Sequence, residues 1–258
     1  MNKLSYEEQT KITRAIIKSA VLMLEFGAES ILIEQTTQRL GKALGVDSVE
    51  ISLIPSAIVL TTLKGSQSVT TTRRAHHKPI NMSIVYDVQK MTIDSEKKSD
   101  ISADFITDTL KNIKPNYYNR WLVVFMVGLS CASFAYLRGV DFNGFFITFF
   151  AAALAMMIRQ ELAKKKFILI LTFSITAFFA TVIANLSSSL NLSSTSNIVL
   201  SASVLLLVPG FLFINSMLDA TKGYLSMAWG RWMQASLLTF ATTIGIIIAM
   251  SLLSIKGW

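Results

Sequence analysis

Apolar positions in this chain follow two different patterns. Up to about residue 115 they recur at regular intervals among charges, and beyond Arg120 they run together in long windows. In the first half, Ser5 followed by Glu8 has the spacing of a capping box. Ile12, Ile16, Ala20 and Met23 then recur at helical spacing, and Gly27 supplies a stop. A second helix is predicted from Ala28 to Leu44, with Leu32, Thr36, Leu40 and Ala43 on one face and Gly45 closing it. The period then falls to two: Val49, Ile51 and Leu53 alternate with Ser48, Glu50 and Ser52, as in a half-buried strand. Ala57–Leu63 is a continuous β-branched run that predicts a central strand. Lys64-Gly65-Ser66 predicts a turn and Ser68–Arg74 a third strand, while Asn81–Glu96 and Ser102–Ile113 return to helical spacing. The order ααβββαα predicts an α+β domain over residues 1–115.

The second half carries no charge over Trp121–Leu137, Phe142–Ile158, Phe167–Leu218 and Trp232–Ile255. A helix needs roughly 20 apolar residues to cross a ~30 Å hydrocarbon core, so the longest window is too long for one crossing. The polar, helix-weakening Ser187–Ser196 divides it. A five-helix transmembrane bundle is therefore predicted over residues 116–258, with spans near 121–138, 142–158, 167–186, 197–216 and 233–254.

Composition sharpens this division. Charged residues make up 16 % of the chain against about 25 % in an ordinary soluble domain, and mean hydropathy is +0.51. Residues 1–30 hold seven charges between Glu7 and Glu29 and no continuous apolar core, so no signal peptide is expected. Lys111, Lys114 and Arg120 precede the first span. Arg159 and Lys164–Lys166 follow the second, and Lys222 and Arg231 lie between the fourth and fifth. The opposite loops offer only Arg138 with Asp141, the serine loop and Lys256. Lys and Arg favour the cytoplasmic side. The expectation is a multi-pass protein of a bacterial inner membrane, N-terminus cytoplasmic and C-terminus periplasmic. The net charge of +8 is largely juxtamembrane, which fits contact with anionic membrane lipids, and no nucleic acid partner is expected. Cys131 stands alone in the first span, and no Cys/His metal spacing occurs, so neither a metal nor a cofactor is expected.

Two groups of residues invite a chemical reading. In the N-terminal domain, Thr72, Arg73 and His76 lie in a hydroxyl-rich, basic strand end able to bind an anion, although a solvated charge run explains it as well. His76 and His77 are adjacent and would point to opposite faces of a strand. Glu25, Glu29 and Glu34 straddle a helix junction and are expected to pair with Arg39 or Arg14. No catalytic motif is present, so an enzyme is not expected. A membrane-anchored enzyme and a metabolite-sensing regulator are the rival classes, both using this domain. In the membrane half, Val208-Pro209-Gly210 interrupts the fourth span. Broken helices present unpaired backbone groups and often form transporter sites, while a packing kink gives the same pattern. Asn215 and Ser216 follow, with Asp219 one turn beyond Asn215, placed either to carry a coupling proton or to meet water at the boundary. Arg159 ends the second span, where it either neutralises a substrate carboxylate or snorkels to headgroups.

Several segments resemble the threonine/serine exporter family: Phe26-Gly27-Ala28-Glu29-Ser30, Gln38-Arg39-Leu40-Gly41, Asp47-Ser48-Val49-Glu50, Ala57–Thr62, and Thr72-Arg73 with His76 and Ile80-Asn81-Met82. Met126–Ala132, Ile158-Arg159-Gln160, Ser203–Gly210 and Lys256-Gly257-Trp258 continue the resemblance to the end of the chain. The resemblance implies export of a small carboxylate or amino acid: succinate in the nearest branch, threonine or serine in longer fused members. It also adds Gln160 to the candidate substrate-binding residues. Because the fused members carry a second membrane region, it implies a second, smaller membrane subunit as partner, and a homo-oligomer is expected as well. Small residues such as Gly128, Ser130, Ser133 and Gly245 offer close helix contacts within the chain or against other subunits, with Gly128 and Gly245 expected to matter for assembly.

Overall fold

A computed structural model describes residues 4–76, 78–98 and 101–253. His77 and Lys256-Gly257-Trp258, singled out above, lie outside them. The chain divides into two compact units, Met1–Tyr117 with Phe213–Trp232, and Tyr118–Leu212 with Met233–Trp258.

In the first unit, α1 spans Tyr6–Glu25 and α2 spans Ser30–Ala43. The capping box forms: the Ser5 hydroxyl accepts from the Glu8 N–H at 3.1 Å, and the Glu8 carboxylate accepts from the Ser5 N–H at 3.0 Å. Gly27 ends α1 at φ +97°, a left-handed conformation that a side chain would strain, and Ala28 N–H reaches back to Met23 O at 3.0 Å. The strands β1 (Ser48–Ile54), β2 (Ala57–Lys64) and β3 (Gln67–Arg74) form an antiparallel meander with Leu60 opposite Ile51 and Thr71. Val49, Leu53, Ile58, Leu60 and Val69 are buried, so one face of the sheet covers the helices while the other presents Ser52, Thr70, Thr72 and Arg74. Helices α3 (Met82–Glu96) and α4 (Ala103–Asn112) complete the layer, starting at caps formed by Asn81 and Ser102. The predicted elements and their order match these closely.

The second unit begins with α5 (Arg120–Leu137), α6 (Phe142–Lys164), α7 (Leu169–Ala184) and the short α8 (Leu186–Ser189). Then come α9 (Ser196–Ser203) and a 3-10 turn at Leu205–Leu207. Helices α10 (Gly210–Thr221) and α11 (Leu225–Leu252) each contribute residues to both units. Among the described residues, four helices are long and apolar enough to cross a membrane: Arg120–Leu137, Phe142–Lys164, Leu169–Ser189 and Leu225–Leu252. Ser196–Leu207 and Gly210–Thr221 make a fifth candidate, bent by 62°.

Three expectations are corrected here. The fourth predicted span, 197–216, is not one helix: the missing N–H of Pro209 and the extended backbone of Val208 divide it, and its second half runs on to Thr221. The second span continues to Lys164, so Arg159 lies more than a turn inside a helix rather than at its end. The fifth begins at Leu225, eight residues before the apolar window predicted it.

The small residues are also reassigned. A Cβ on Gly128 would stand 2.9 Å from Phe149 O of α6, and one on Gly245 would stand 2.1 Å from Ser174 O of α7. Both glycines therefore seat helices of the same chain, beside the 2.7 Å bond from the Ser174 hydroxyl to Ala241 O. Backbone cannot yield as a side-chain tip can. Gly245→Ala should cost about 1–3 kcal/mol through overpacking and lower the thermal midpoint of the detergent-solubilised chain. An unchanged midpoint would show that α7 and α11 are not packed at this distance.

Candidate functional site

The break in the bent pair has an ionic neighbour. Arg159, on α6, donates from Nη1 to Leu206 O at 3.3 Å, and its guanidinium carbon lies 4.8 Å from the centre of the buried Phe173 ring of α7. Leu206 sits in the 3-10 turn just before the extended Val208 and Pro209, so the guanidinium caps the carbonyl end of the first half-helix. It has no carboxylate partner among the described residues. A guanidinium carries five donors in a planar fork, and this one spends a single hydrogen bond on the backbone. It is therefore equipped to receive a carboxylate. Gly210 opens the second half-helix, and a Cβ there would meet nothing within 4 Å. Gln160 points elsewhere, donating to Arg120 O at 3.4 Å, beside the ion pair of Arg120 with Glu161 at 2.5 Å. It joins α6 to the start of α5. A groove of about 380 Å³ lies along α6 and α7, lined by Leu154, Met157, Ile158, Leu162 and Ile183 with Glu161 and Lys165. Its lining does not include Arg159, Pro209 or Gly210.

Asn215, Ser216 and Asp219 belong to the other unit, and all three are buried. Asp219 is 0 % exposed and faces Arg231, itself 7 % exposed, with Oδ2 and Nη1 2.9 Å apart. The two atoms are not aligned as a hydrogen bond, so charge holds them. Asp219 Oδ1 accepts from the Ser30 N–H at 3.2 Å, placing a carboxylate at the positive end of α2. Arg231 Nη2 donates to Ala28 O at 2.6 Å, and Asn215 Nδ2 donates to Gly27 O at 3.3 Å. The Ser216 hydroxyl donates to Ala228 O at 2.8 Å, tying α10 to the start of α11. Nearby, Met227 enters the hydrophobic core of the unit, and a Cβ on Gly230 would strike Pro55 at 2.2 Å. Residues 213–232 are thus built into the N-terminal fold. Asp219 is thus buried and ion-paired within this unit rather than exposed at its surface. The pairing also removes Arg231 from the loop charges used above to set orientation.

The expected pairing of the junction glutamates is corrected too. Arg39 pairs with Glu96 at 2.5 Å, Glu29 with Lys222 at 3.2 Å, and Glu25 with Lys78 at 2.5 Å while accepting from the His76 N–H. The Tyr224 hydroxyl donates to Glu34. Thr72, Arg73 and His76 are exposed at the strand end. No group of three or more His, Cys, Asp or Glu side chains among the described residues could hold a metal ion. Sequence reasoning missed Arg231, Tyr224 and the backbone of the Gly27–Ser30 loop as partners of the Asp219 segment. The one available signal was an acid and a base standing in otherwise apolar sequence.

Tyr224 carries a pH prediction. Burial, then the bond to Glu34, raises its phenol above the ordinary value of 10.0. The unfolded chain therefore ionises first. The contribution of Tyr224 is complete below pH ~10 and is lost as pH rises through the folded value. Tyr224→Phe should flatten that alkaline loss of thermal stability; an identical pH profile in both chains would sink the assignment.

Comparison with known proteins adds a family. Residues 14–253 match the family described as "Putative threonine/serine exporter". The chain is 44 % identical over 253 residues to a protein of Escherichia coli (strain K12) named "Probable succinate transporter subunit YjjP", covering 98 % of both chains. It is 45 % identical over 252 residues to a protein of the same name from Klebsiella aerogenes, covering 97 % of both. No solved structure matches.

Proposed function

Because the chain belongs to the threonine/serine exporter family, we propose that it is a subunit of a bacterial inner-membrane exporter for a small carboxylate, with succinate as its substrate. The observation that carries this reading is the Arg159 guanidinium, unmatched by an acid among the described residues, at the broken end of the 196–207 half-helix. A dicarboxylate offers the charge that this cation lacks, and half-helix ends are places where transporters hold ligands. Threonine or serine is the second reading, favoured by the family's description, since an α-carboxylate suits the same fork.

Parity supports five crossings. Residues 213–232 share a fold with residues before 118, so both belong on one side of the membrane. Between them lie α5, α6 and α7, an odd number of crossings, so this reading takes the bent pair that begins at Ser196 as the fourth. With α11 as the fifth, the C-terminus lies on the side opposite the N-terminal domain. The excess of Lys and Arg in the loops on that side supports a cytoplasmic N-terminal domain. An odd number of spans is unusual for a self-contained transporter of paired repeats. The relatives' names call those proteins subunits, and a second, smaller membrane subunit completes the present reading. Helix α5 offers it the exposed stripe of Met126, Ser130, Ser133 and Leu137.

The experiment is efflux of succinate, threonine and serine from cells lacking the gene. Loss of succinate efflux, restored by the gene only in the presence of the second membrane protein, supports the proposal. Unchanged efflux of all three overturns it, and loss confined to threonine and serine selects the second reading.

A further inference from the structure

The groove of about 380 Å³ on α6 has an apolar floor and a basic end, and it lies wholly within the second unit. Leu154, Met157, Ile158, Glu161, Leu162 and Lys165 follow one another at steps of three and four or fewer, so they share one face of α6, and Ile183 of α7 adds to the lining. From Leu154 to Lys165 a helix rises ~17 Å. That is close to the depth of one leaflet, about half of a ~30 Å hydrocarbon core. Charge gathers at one end. Glu161, the one acid in the lining, is held by Arg120 at 2.5 Å and by Lys164 at 3.3 Å. Lys165 and Lys166 meet no carboxylate among the described residues. Phe167, Ile168, Leu169, Ile170 and Leu171 follow at once and are all exposed. Unpaired ammonium groups beside exposed apolar chain suit the boundary between headgroups and hydrocarbon. Lys166 is also unusual in its backbone. Its φ of +57° lies in the left-handed region that glycine commonly fills at a helix end, and the N–H groups of Lys166 and Phe167 bond back to Ala163 O at 3.0 Å and Leu162 O at 3.2 Å. Lysine there bears a strain that glycine would avoid and supplies a charge that glycine would lack.

We propose that this groove is a binding site for an anionic phospholipid: one acyl chain lies along α6 from Lys165 towards Leu154, and Lys165 and Lys166 hold the phosphate. Two cations without acids select an anion, and a slot one leaflet deep matches a single chain. A length of ~17 Å of partner helix, ~10 Å across, occupies roughly 1,300 Å³ and does not fit within the groove. The site requires α6 and α7 to lie in a membrane and does not depend on which substrate is exported.

The test uses the purified full chain in nanodiscs of phosphatidylcholine. A trace of phospholipid with a photoreactive acyl chain is added, either as phosphatidylglycerol or as phosphatidylcholine, and the labelled peptides are mapped after illumination. The phosphatidylglycerol probe should label residues 154–165 about fivefold or more above the phosphatidylcholine probe. Ile158→Trp, which fills the floor of the groove, should lower that labelling about threefold or more. Lys166→Gly removes the charge while relieving the backbone, so its effect does not come from a damaged helix end; it should lower phosphatidylglycerol labelling about threefold or more. Lys165→Gln with Lys166→Gly should bring it to the level of the phosphatidylcholine probe. Equal labelling of the unaltered chain by the two probes would overturn the proposal. So would phosphatidylglycerol labelling that spares residues 154–165, or that persists unchanged in Lys166→Gly and the double variant. Labelling abolished by co-reconstitution with the second membrane protein would make the groove a protein interface and would also overturn it. No transport is measured, so a failure of succinate efflux strikes the substrate reading and leaves the lipid site standing.

Discussion

Asp219→Asn is expected to destabilise the N-terminal unit by ~3–5 kcal/mol, the largest single-site effect in the molecule. The substitution leaves Arg231, 7 % exposed, without its counter-charge, and weakens the acceptor at the α2 N-terminus. Asparagine can still accept from Ser30, so the main cost is the stranded guanidinium. Arg231→Leu should cost a similar amount by stranding the carboxylate. Replacing both by apolar residues of similar volume, Asp219→Leu with Arg231→Met, should cost much less than the sum, because burying an ion pair gains little over apolar packing. Thermal unfolding of the solubilised chain checks this. Additive losses across the three variants would mean that Asp219 and Arg231 are independent of one another.

The second large effect concerns transport. Arg159→Gln should lower succinate efflux at least about thirtyfold, the equivalent of ~2 kcal/mol lost from a charge-assisted contact in a dry site. Membrane insertion should be normal, because Lys164, Lys165 and Lys166 remain at the end of α6 to hold its orientation. Arg159→Lys should fall between the two, keeping the charge and losing the planar fork. An anchor that merely snorkels would behave differently: lysine would serve as well as arginine, and glutamine would alter topology rather than rate. Efflux measured beside the membrane level of each variant separates these outcomes.

The two halves of the molecule differ in how far local sequence predicts them. The Ser5–Glu8 box, the Gly27 stop and the Val49–Leu53 alternation act within a few residues, so their elements stand where local rules place them. The Val208-Pro209 break is local in the same sense: a missing donor interrupts a helix wherever it falls. Asp219 obeys a different logic. Its partner Ser30 lies 189 residues away in the chain, and no periodicity reports a contact of that kind. Hydropathy also misled around Arg231. A cation bordering an apolar window reads as a topology signal, although here its fork serves a loop of the N-terminal fold. Asp219 and Arg231 stand in apolar sequence, where a charge is costly unless paired, but the sequence reading took them separately. The resemblance around Phe26-Gly27-Ala28-Glu29-Ser30 now has a physical content as well. Those backbone groups are the ones that Asn215, Asp219 and Arg231 hold.

The division of the first unit has a consequence for biosynthesis. Its fold draws on Met1–Tyr117 and on Phe213–Trp232, so the ribosome adds 115 residues after the first part before the second is complete. At about 5–20 residues per second this takes roughly 6–23 s. During that interval the slot for Met227 in the core and the carbonyls of Gly27 and Ala28 stand open, while the translocation machinery handles α5, α6, α7 and the residues up to Leu212. The nascent protein therefore passes through a stage with its membrane helices largely made and its N-terminal fold unfinished. A chain stalled before Trp232 would display that open core to chaperones and proteases, and one released past it would close. Quality control that senses this opening would read completion of the late segment from the state of the domain made first.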